Sequence, residues 1–263
     1  KRMQIKSVIR ILGLLLMLFS LAIIPPIVVS IIYSDGETWS FFYALILIFV
    51  SGLLLWLPAM QAKTDLKLRD GFIIVVLFWF VLSTFASLPM VLSESLSISI
   101  TDAIFESISG LTTTGATILN NIDDLPKSIL FYRQYLQWLG GLGIIVLAVA
   151  VLPMLGVGGM QLYKAEVAGP IKNKITPRIT ETAKWLWIVY LTMTIVCGAS
   201  YYIAGMPIFD SICHSFSTIA IGGFSIHNES FGYYDNHWIE LVAIFFMIAA
   251  CLNFSLHYLA FKN

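Results

Sequence analysis

Charge is what this sequence has least of. Asp, Glu, Lys and Arg make up 11% of its 263 residues, against about 25% in soluble domains. With 59% of the residues apolar, a water-facing shell cannot be assembled, which excludes an ordinary soluble protein. Cysteine is scarce too. Cys197, Cys213 and Cys251 show no CxxC spacing, so they read as small packing residues rather than a disulfide framework. No G-x-x-x-x-G-K-[ST] pattern occurs, so Gly156, Gly158, Gly159 and Gly169 make no phosphate cradle and read as an interfacial connection over 153–170. His214, His227, His237 and His257 lack metal-ligand spacing, the external His227 and His237 being the sole pair that invites a zinc reading. The formal net charge is zero, and the basic clusters flank apolar runs, where they fix topology or touch anionic lipid rather than nucleic acid.

Long apolar runs stand in place of charge. Six approach bilayer length, about 20 residues: 8–33, 39–60, 72–92, 129–152, 183–204 and 237–259. The first is too long for a cleaved leader, and Pro25-Pro26 interrupt it, so it is expected to remain as a span. Lys and Arg set the orientation. Lys1, Arg2, Lys6, Arg10, Lys63, Lys67, Arg69, Lys164, Lys172, Lys174, Arg178, Lys184 and Lys262 all fall on one side of a six-span topology. The other side keeps only Lys127 and Arg133. The basic side, with both termini of this chain, is expected in the cytoplasm.

The spacing of the runs is uneven. A short acidic turn, Ser34-Asp35-Gly36-Glu37, joins the first two, whereas about 30 residues separate the third from the fourth and the fifth from the sixth. Each long stretch holds a partly apolar segment, 98–111 and 208–219. A dozen helical residues reach about 18 Å of a core about 30 Å thick, so these read as half-helices that enter and return. The two stretches are copies. A shift of 108 residues lays Asp102, Ile104, Ser107, Ser109, Gly115, Ile118 and Asn120 on identical residues, seven of nineteen positions without a gap. The fold class is therefore all-α, a polytopic membrane helix bundle with two helix–pore-loop–helix repeats preceded by a helix pair. Its parts are an N-terminal pair over 1–70, a first repeat over 71–153, a cytoplasmic linker over 154–182 and a second repeat over 183–263.

Chemistry concentrates where the half-helices end. Asp102 and Asp210 open them and are expected to act as N-terminal caps rather than ion ligands. Their C-termini direct partial negative charge into the membrane, a favourable place for a cation. Thr112-Thr113-Thr114-Gly115 follows the first and Ala220-Ile221-Gly222-Gly223 the second. Irregular backbone at membrane depth is tolerated only where it is buried in protein or lines an aqueous path. Carbonyl oxygens there can replace an ion's hydration shell, and glycine accepts the positive φ this demands. Potassium is weakly hydrated, so neutral oxygens suffice and no carboxylate ring is needed.

At Ser109-Gly-Leu-Thr-Thr-Thr-Gly-Ala-Thr117, at Phe131-Tyr-Arg-Gln-Tyr-Leu-Gln-Trp-Leu-Gly-Gly-Leu-Gly143 and at Ser217-Thr-Ile-Ala-Ile-Gly-Gly-Phe-Ser225, the chain resembles the Trk/Ktr/HKT superfamily of potassium transporters, in its Trk-type membrane subunits. The resemblance runs from the first span to the end. It implies potassium (K+) uptake across the bacterial inner membrane through a filter of four pore loops, a homodimer of the complete protein, and a cytoplasmic nucleotide-binding TrkA-like partner. Proton symport has been proposed for the family. Carried onto this chain, the filter positions are Thr112, Thr113, Thr114 and Gly115 with Ala220, Ile221, Gly222 and Gly223. The second loop keeps only the glycine pair, so the first should supply more hydroxyl ligands. Two loops cannot ring an ion, and we expect a chain covering half of the four-repeat pattern, with association of two copies as the alternative.

Other polar residues leave alternatives open. Arg133 could snorkel to headgroups or pair with Asp123, Asp124 or Glu106 behind the filter. Gly140, Gly141 and Gly143 are expected to permit close helix packing. A membrane enzyme would need a nucleophile–base pair or metal cluster, and no spacing implies one. A non-conducting assembly subunit would have no use for two filter-like loops.

Overall fold

The computed structural model describes residues 4–62, 68–150 and 179–251, and among these every regular element is helical. The expected interfacial connection over 153–170 and most of the linker over 154–182 lie outside them. So do Lys1, Arg2, Lys63, Lys67, Lys164, Lys172, Lys174, Arg178 and Lys262. The described chain falls into two compact units. One holds residues up to 108 together with 126–129 and 150, the other 109–125, 130–149 and 179–251.

The first unit begins with α1 (Ile5–Leu21), α2 (Ile24–Tyr33) and α3 (Thr38–Trp56). With about 1.5 Å of rise per residue, α3 is about 28 Å long, matched to a hydrocarbon core about 30 Å thick. The first apolar run stays helical but is interrupted at Ala22-Ile23. Pro25 and Pro26 then fall in the first turn of α2, where a missing N–H loses no bond. Gly13 and Gly52 let α1 and α3 meet backbone to backbone. A Cβ on Gly13 would stand 2.6 Å from the Gly52 carbonyl oxygen, and one on Gly52 2.8 Å from that of Gly13. Phe42, Ile46, Phe49, Val50 and Leu54 of α3 are exposed, an apolar face suited to lipid.

Polar residues tie the turns at the end of these helices. Ser34 (φ 51°) and Gly36 (φ 87°) reverse the chain between α2 and α3. Asp35 accepts from the Ser30 hydroxyl (2.6 Å), the Glu37 N–H (3.2 Å) and the Ser128 N–H (2.8 Å). Burial opposes ionisation of Asp35, yet these bonds outweigh it and hold its carboxyl below the usual range. Buried Glu37 accepts from Ser93 (2.7 Å) and Ser95. The unit continues with α4 (Leu68–Ala86), α5 (Leu88–Leu92) and the start of α6 (Ile100–Leu111).

The second unit holds the end of α6, then α7 (Lys127–Ala150) up to residue 149, α8 (Ile179–Ile203), α9 (Ile208–Ala220) and α10 (His237–Cys251). Six spans were expected. Four helical stretches among the described residues are long and apolar enough to cross: Ile5–Tyr33, Thr38–Ala59, Ile73–Leu92 and Trp185–Ile203. The other two expected runs are also helical. With 24 residues α7 has the length, but Arg133, Gln134 and Gln137 interrupt its apolar sequence, and the described part of α10 is apolar but 15 residues long.

The half-helices are α6 and α9, of 12 and 13 residues, or about 18–20 Å each. Their aspartates are not the caps expected of them. Asp102 sits inside the first turn of α6 and gives its N–H to the Ser99 hydroxyl (3.1 Å), so the cap is Ser99. At α9 the preceding residue is Pro207 and no side chain caps the helix. Asp210 instead turns its carboxylate to side chains further along the chain, described next.

Candidate functional site: two braced pore loops

Both half-helices end by the same backbone reversal. Thr114 donates its N–H to the Ser109 carbonyl (2.9 Å), and Gly222 donates to Ser217 (2.8 Å), 108 residues later. The bond reaches back five residues, the mark of a Schellman-type ending, which places a left-handed residue just before the donor. Those residues are Thr113 (φ 54°) and Ile221 (φ 53°), and Gly115 (φ 76°) and Gly223 (φ 83°) follow two positions on. Handedness therefore alternates at equivalent places in both loops. Alternation gathers successive N–H groups on one side and leaves carbonyl oxygens to the other. Thr112, Thr114, Ile221 and Gly223 are exposed, as residues lining a path would be.

The loops meet at their glycines. A Cβ on Gly115 would stand 2.1 Å from the Gly222 carbonyl oxygen, so only glycine fits there. Thr112 and Thr114 share a hydroxyl–hydroxyl bond (2.8 Å) inside the first loop. The second loop, without threonines, is held from outside. Gln137, buried in α7, donates its amide nitrogen to the Gly222 carbonyl (2.7 Å) and accepts the Phe224 N–H at its oxygen (3.2 Å).

One turn earlier on α7, Arg133 is fully buried, which overturns the snorkelling alternative. Its guanidinium donates to the Ser225 carbonyl (3.1 Å) and the Thr117 hydroxyl (3.1 Å), and lies 4.4 Å from the centre of the Phe224 ring. Thr117 and Ser225 are equivalent under the 108-residue shift, so one cation fastens the exits of both loops. Asp123, offered above as its partner, engages His227 and Asn228 instead.

A second tie lies beyond the loops. The His227 ring bridges two carboxylates, Asp123 at Nδ1 (2.6 Å) and Asp210 at Nε2 (3.2 Å), and stacks on Tyr233 at 3.6 Å. Asp210 also accepts from the Tyr234 hydroxyl (2.8 Å), and the Asn228 side chain accepts the Ile122 N–H (3.0 Å). No cluster of metal-ligating side chains occurs among the described residues, and His227 is taken up by carboxylates rather than by His237. Sequence reasoning missed this network. The recurrence of Asn120 as Asn228 was its one visible trace.

The His227 hydrogen bond first, and those from Asn228, hold the Asp123 carboxyl below the usual range. A depressed carboxyl stabilises the fold above its unfolded pKa, about 3.9, and that contribution is lost as pH falls through its folded value. Melting of the purified protein should therefore weaken below about pH 4. Asp123→Asn should flatten that dependence by a small amount, because the side chain is 39% exposed.

Fold and loops together define a class, the helical membrane proteins with paired half-helix–loop units. A family model described as TrkH, cation transport protein, matches residues 37–263. The Trk system potassium uptake protein TrkH of Vibrio parahaemolyticus serotype O3:K6 is 55% identical over 262 residues, covering 99% of this chain and 54% of that protein. Its Escherichia coli K12 counterpart is 54% identical over 258 residues, covering 97% and 53%. The crystal structure of the potassium transporter TrkH from Vibrio parahaemolyticus matches with a TM-score of 0.85 and 51% identity, over 99% of this chain and 52% of that one. The chain belongs to the TrkH cation transport family. It spans about half the length of the curated relatives it matches.

Proposed function

We propose that this chain supplies two pore loops of a potassium-uptake pathway in the bacterial inner membrane. It carries an ion rather than catalysing a reaction. The ion's ligands are Thr112, Thr113, Thr114 and Gly115 together with Ala220, Ile221, Gly222 and Gly223. The observation that carries the reading is the paired left-handed geometry at Thr113/Gly115 and Ile221/Gly223, with Gly115 closed against Gly222. Half-helix C-termini add partial negative charge behind each loop. The relatives named for potassium uptake supply the choice of ion.

The basic termini of the chain face the cytoplasm, where a nucleotide-binding TrkA-like subunit docks. Further pore loops, from more of the same polypeptide or from a second copy, complete the ring, and the complete protein is a homodimer. The sequence parts into the helix pair at 1–70, repeats at 71–153 and 183–263, and the cytoplasmic linker at 154–182. Uptake by cells lacking their own potassium systems tests the proposal. Potassium and rubidium should compete with one another and outcompete sodium and lithium, because neutral oxygens bind weakly hydrated ions with the least dehydration cost. Equal permeation of sodium and potassium would sink the filter assignment.

A further inference from the structure

Gln137 occupies an unusual position. It belongs to the helix that follows the first pore loop, yet it holds the second. Its amide uses both ends on that loop, donating to the Gly222 carbonyl and accepting the Phe224 N–H. With donor and acceptor both committed, the side chain sets one backbone orientation of the loop and no other.

Gly222 is shaped to receive this amide. A Cβ there would stand 2.3 Å from the carboxamide carbon of Gln137, so the missing side chain is the room the amide fills. The first loop has no such brace from the second repeat. The position equivalent to Gln137 is Phe245, an exposed residue of α10, and that equivalent to Arg133 is Leu241, exposed as well. Thr114, the equivalent of Gly222, is held within its own loop by Thr112. A polar amide in the middle of a membrane helix is costly unless paired, and Gln137 is fully buried and paired.

We infer that Gln137 is a specificity-determining positioning residue. It draws the Gly222 carbonyl aside and thereby fixes which oxygens of the second loop face the ion. Without it, the Gly222 carbonyl is released toward the path. The loop then loosens, and a cavity held at potassium size admits sodium. The inference rests on the proposed reading of these loops as an ion filter.

Gln137→Met tests it, because the side chain keeps similar volume but loses both bonds. Gln137→Glu is the conservative partner: protonated, it offers one donor and one acceptor in the same places. Uptake is measured in a potassium-requiring strain, with apparent KM, maximal rate and the potassium-to-sodium ratio recorded for each variant. For Gln137→Met the expected result is a fall in that ratio of about tenfold, the scale of one buried hydrogen bond lost. KM should rise and the maximal rate stay within about twofold, while Gln137→Glu retains more selectivity than Gln137→Met.

An unchanged ratio and KM in Gln137→Met would overturn the inference. So would an equal fall in uptake of every ion at constant KM, or failure of both variants to accumulate in the membrane, since Gln137 would then serve folding alone. If the unsubstituted protein itself does not discriminate between potassium and sodium, the filter reading fails instead, and the two failures are distinct.

Discussion

Replacing Gly115 by serine is expected to abolish selective potassium uptake while the protein still inserts, and Gly223→Ser is expected to do less. From the sequence the two glycines are equals, each closing its loop. The structure separates them. Both have positive φ, 76° and 83°, so each substitution carries a left-handed penalty of about 1–2 kcal/mol. Gly115 has a further problem. Its Cβ would lie 2.1 Å from the Gly222 carbonyl oxygen, whereas at Gly223 the nearest atom is 3.9 Å away, the Gly115 Cα.

A backbone carbonyl cannot swing aside as a flexible side chain can. The first loop must therefore withdraw from the second, by more than the tolerance of an ion site. Gly115→Ser should leave no selective uptake above background, and Gly223→Ser should retain a reduced, still potassium-preferring uptake. The check is rubidium uptake with sodium competition, at matched amounts of protein in the membrane. Equal effects of the two substitutions would mean that the loops do not touch in the working protein.

Much of this was legible beforehand, and the reason is periodicity. Six apolar runs of bilayer length and two half-length segments are set by chain geometry and by the need to satisfy every backbone group inside lipid. They appear as helices within a few residues of the expected limits. The 108-residue repeat foretold that the loops would share a conformation, and Thr113/Ile221 and Gly115/Gly223 do.

Partnership was not legible. Asp102 and Asp210 looked alike because their sequence surroundings are alike, yet Ser99 caps one helix and His227 with Tyr234 claims the other carboxylate. Those choices depend on residues up to about a hundred positions away, which no local pattern encodes. Arg133 shows the same limit. Its burial against Thr117, Ser225 and Phe224 follows from how α7 packs, and the sequence offered only a list of nearby acids. Gln137 could have been flagged as a mid-span amide, but not matched to the second loop.

Gly140→Ala should be the most damaging single-methyl change in the chain. Taken from helix propensity alone it would stabilise α7, since alanine is favoured over glycine in a helix by about 1 kcal/mol. Packing reverses the sign. A Cβ at residue 140 would stand 2.0 Å from the Leu111 carbonyl oxygen, 2.8 Å from its carbonyl carbon and 3.2 Å from its Cα, all backbone atoms. Leu111 is the last residue of α6, immediately before Thr112, so the added methyl pushes on the root of the first pore loop. Overpacking of this kind costs about 3 kcal/mol, enough to outweigh the propensity gain. Both lower thermal stability and loss of selective uptake are therefore expected, with α7 itself intact. Gly198→Ala is the matched control. It too adds a methyl to a helix glycine, in α8, but its nearest neighbour is the Ser215 Cβ at 3.5 Å, an ordinary contact. That variant should melt at or slightly above the unsubstituted temperature and transport normally. If Gly140→Ala behaves like Gly198→Ala, α7 does not press on the end of α6, and the positioning of the first loop must come from elsewhere.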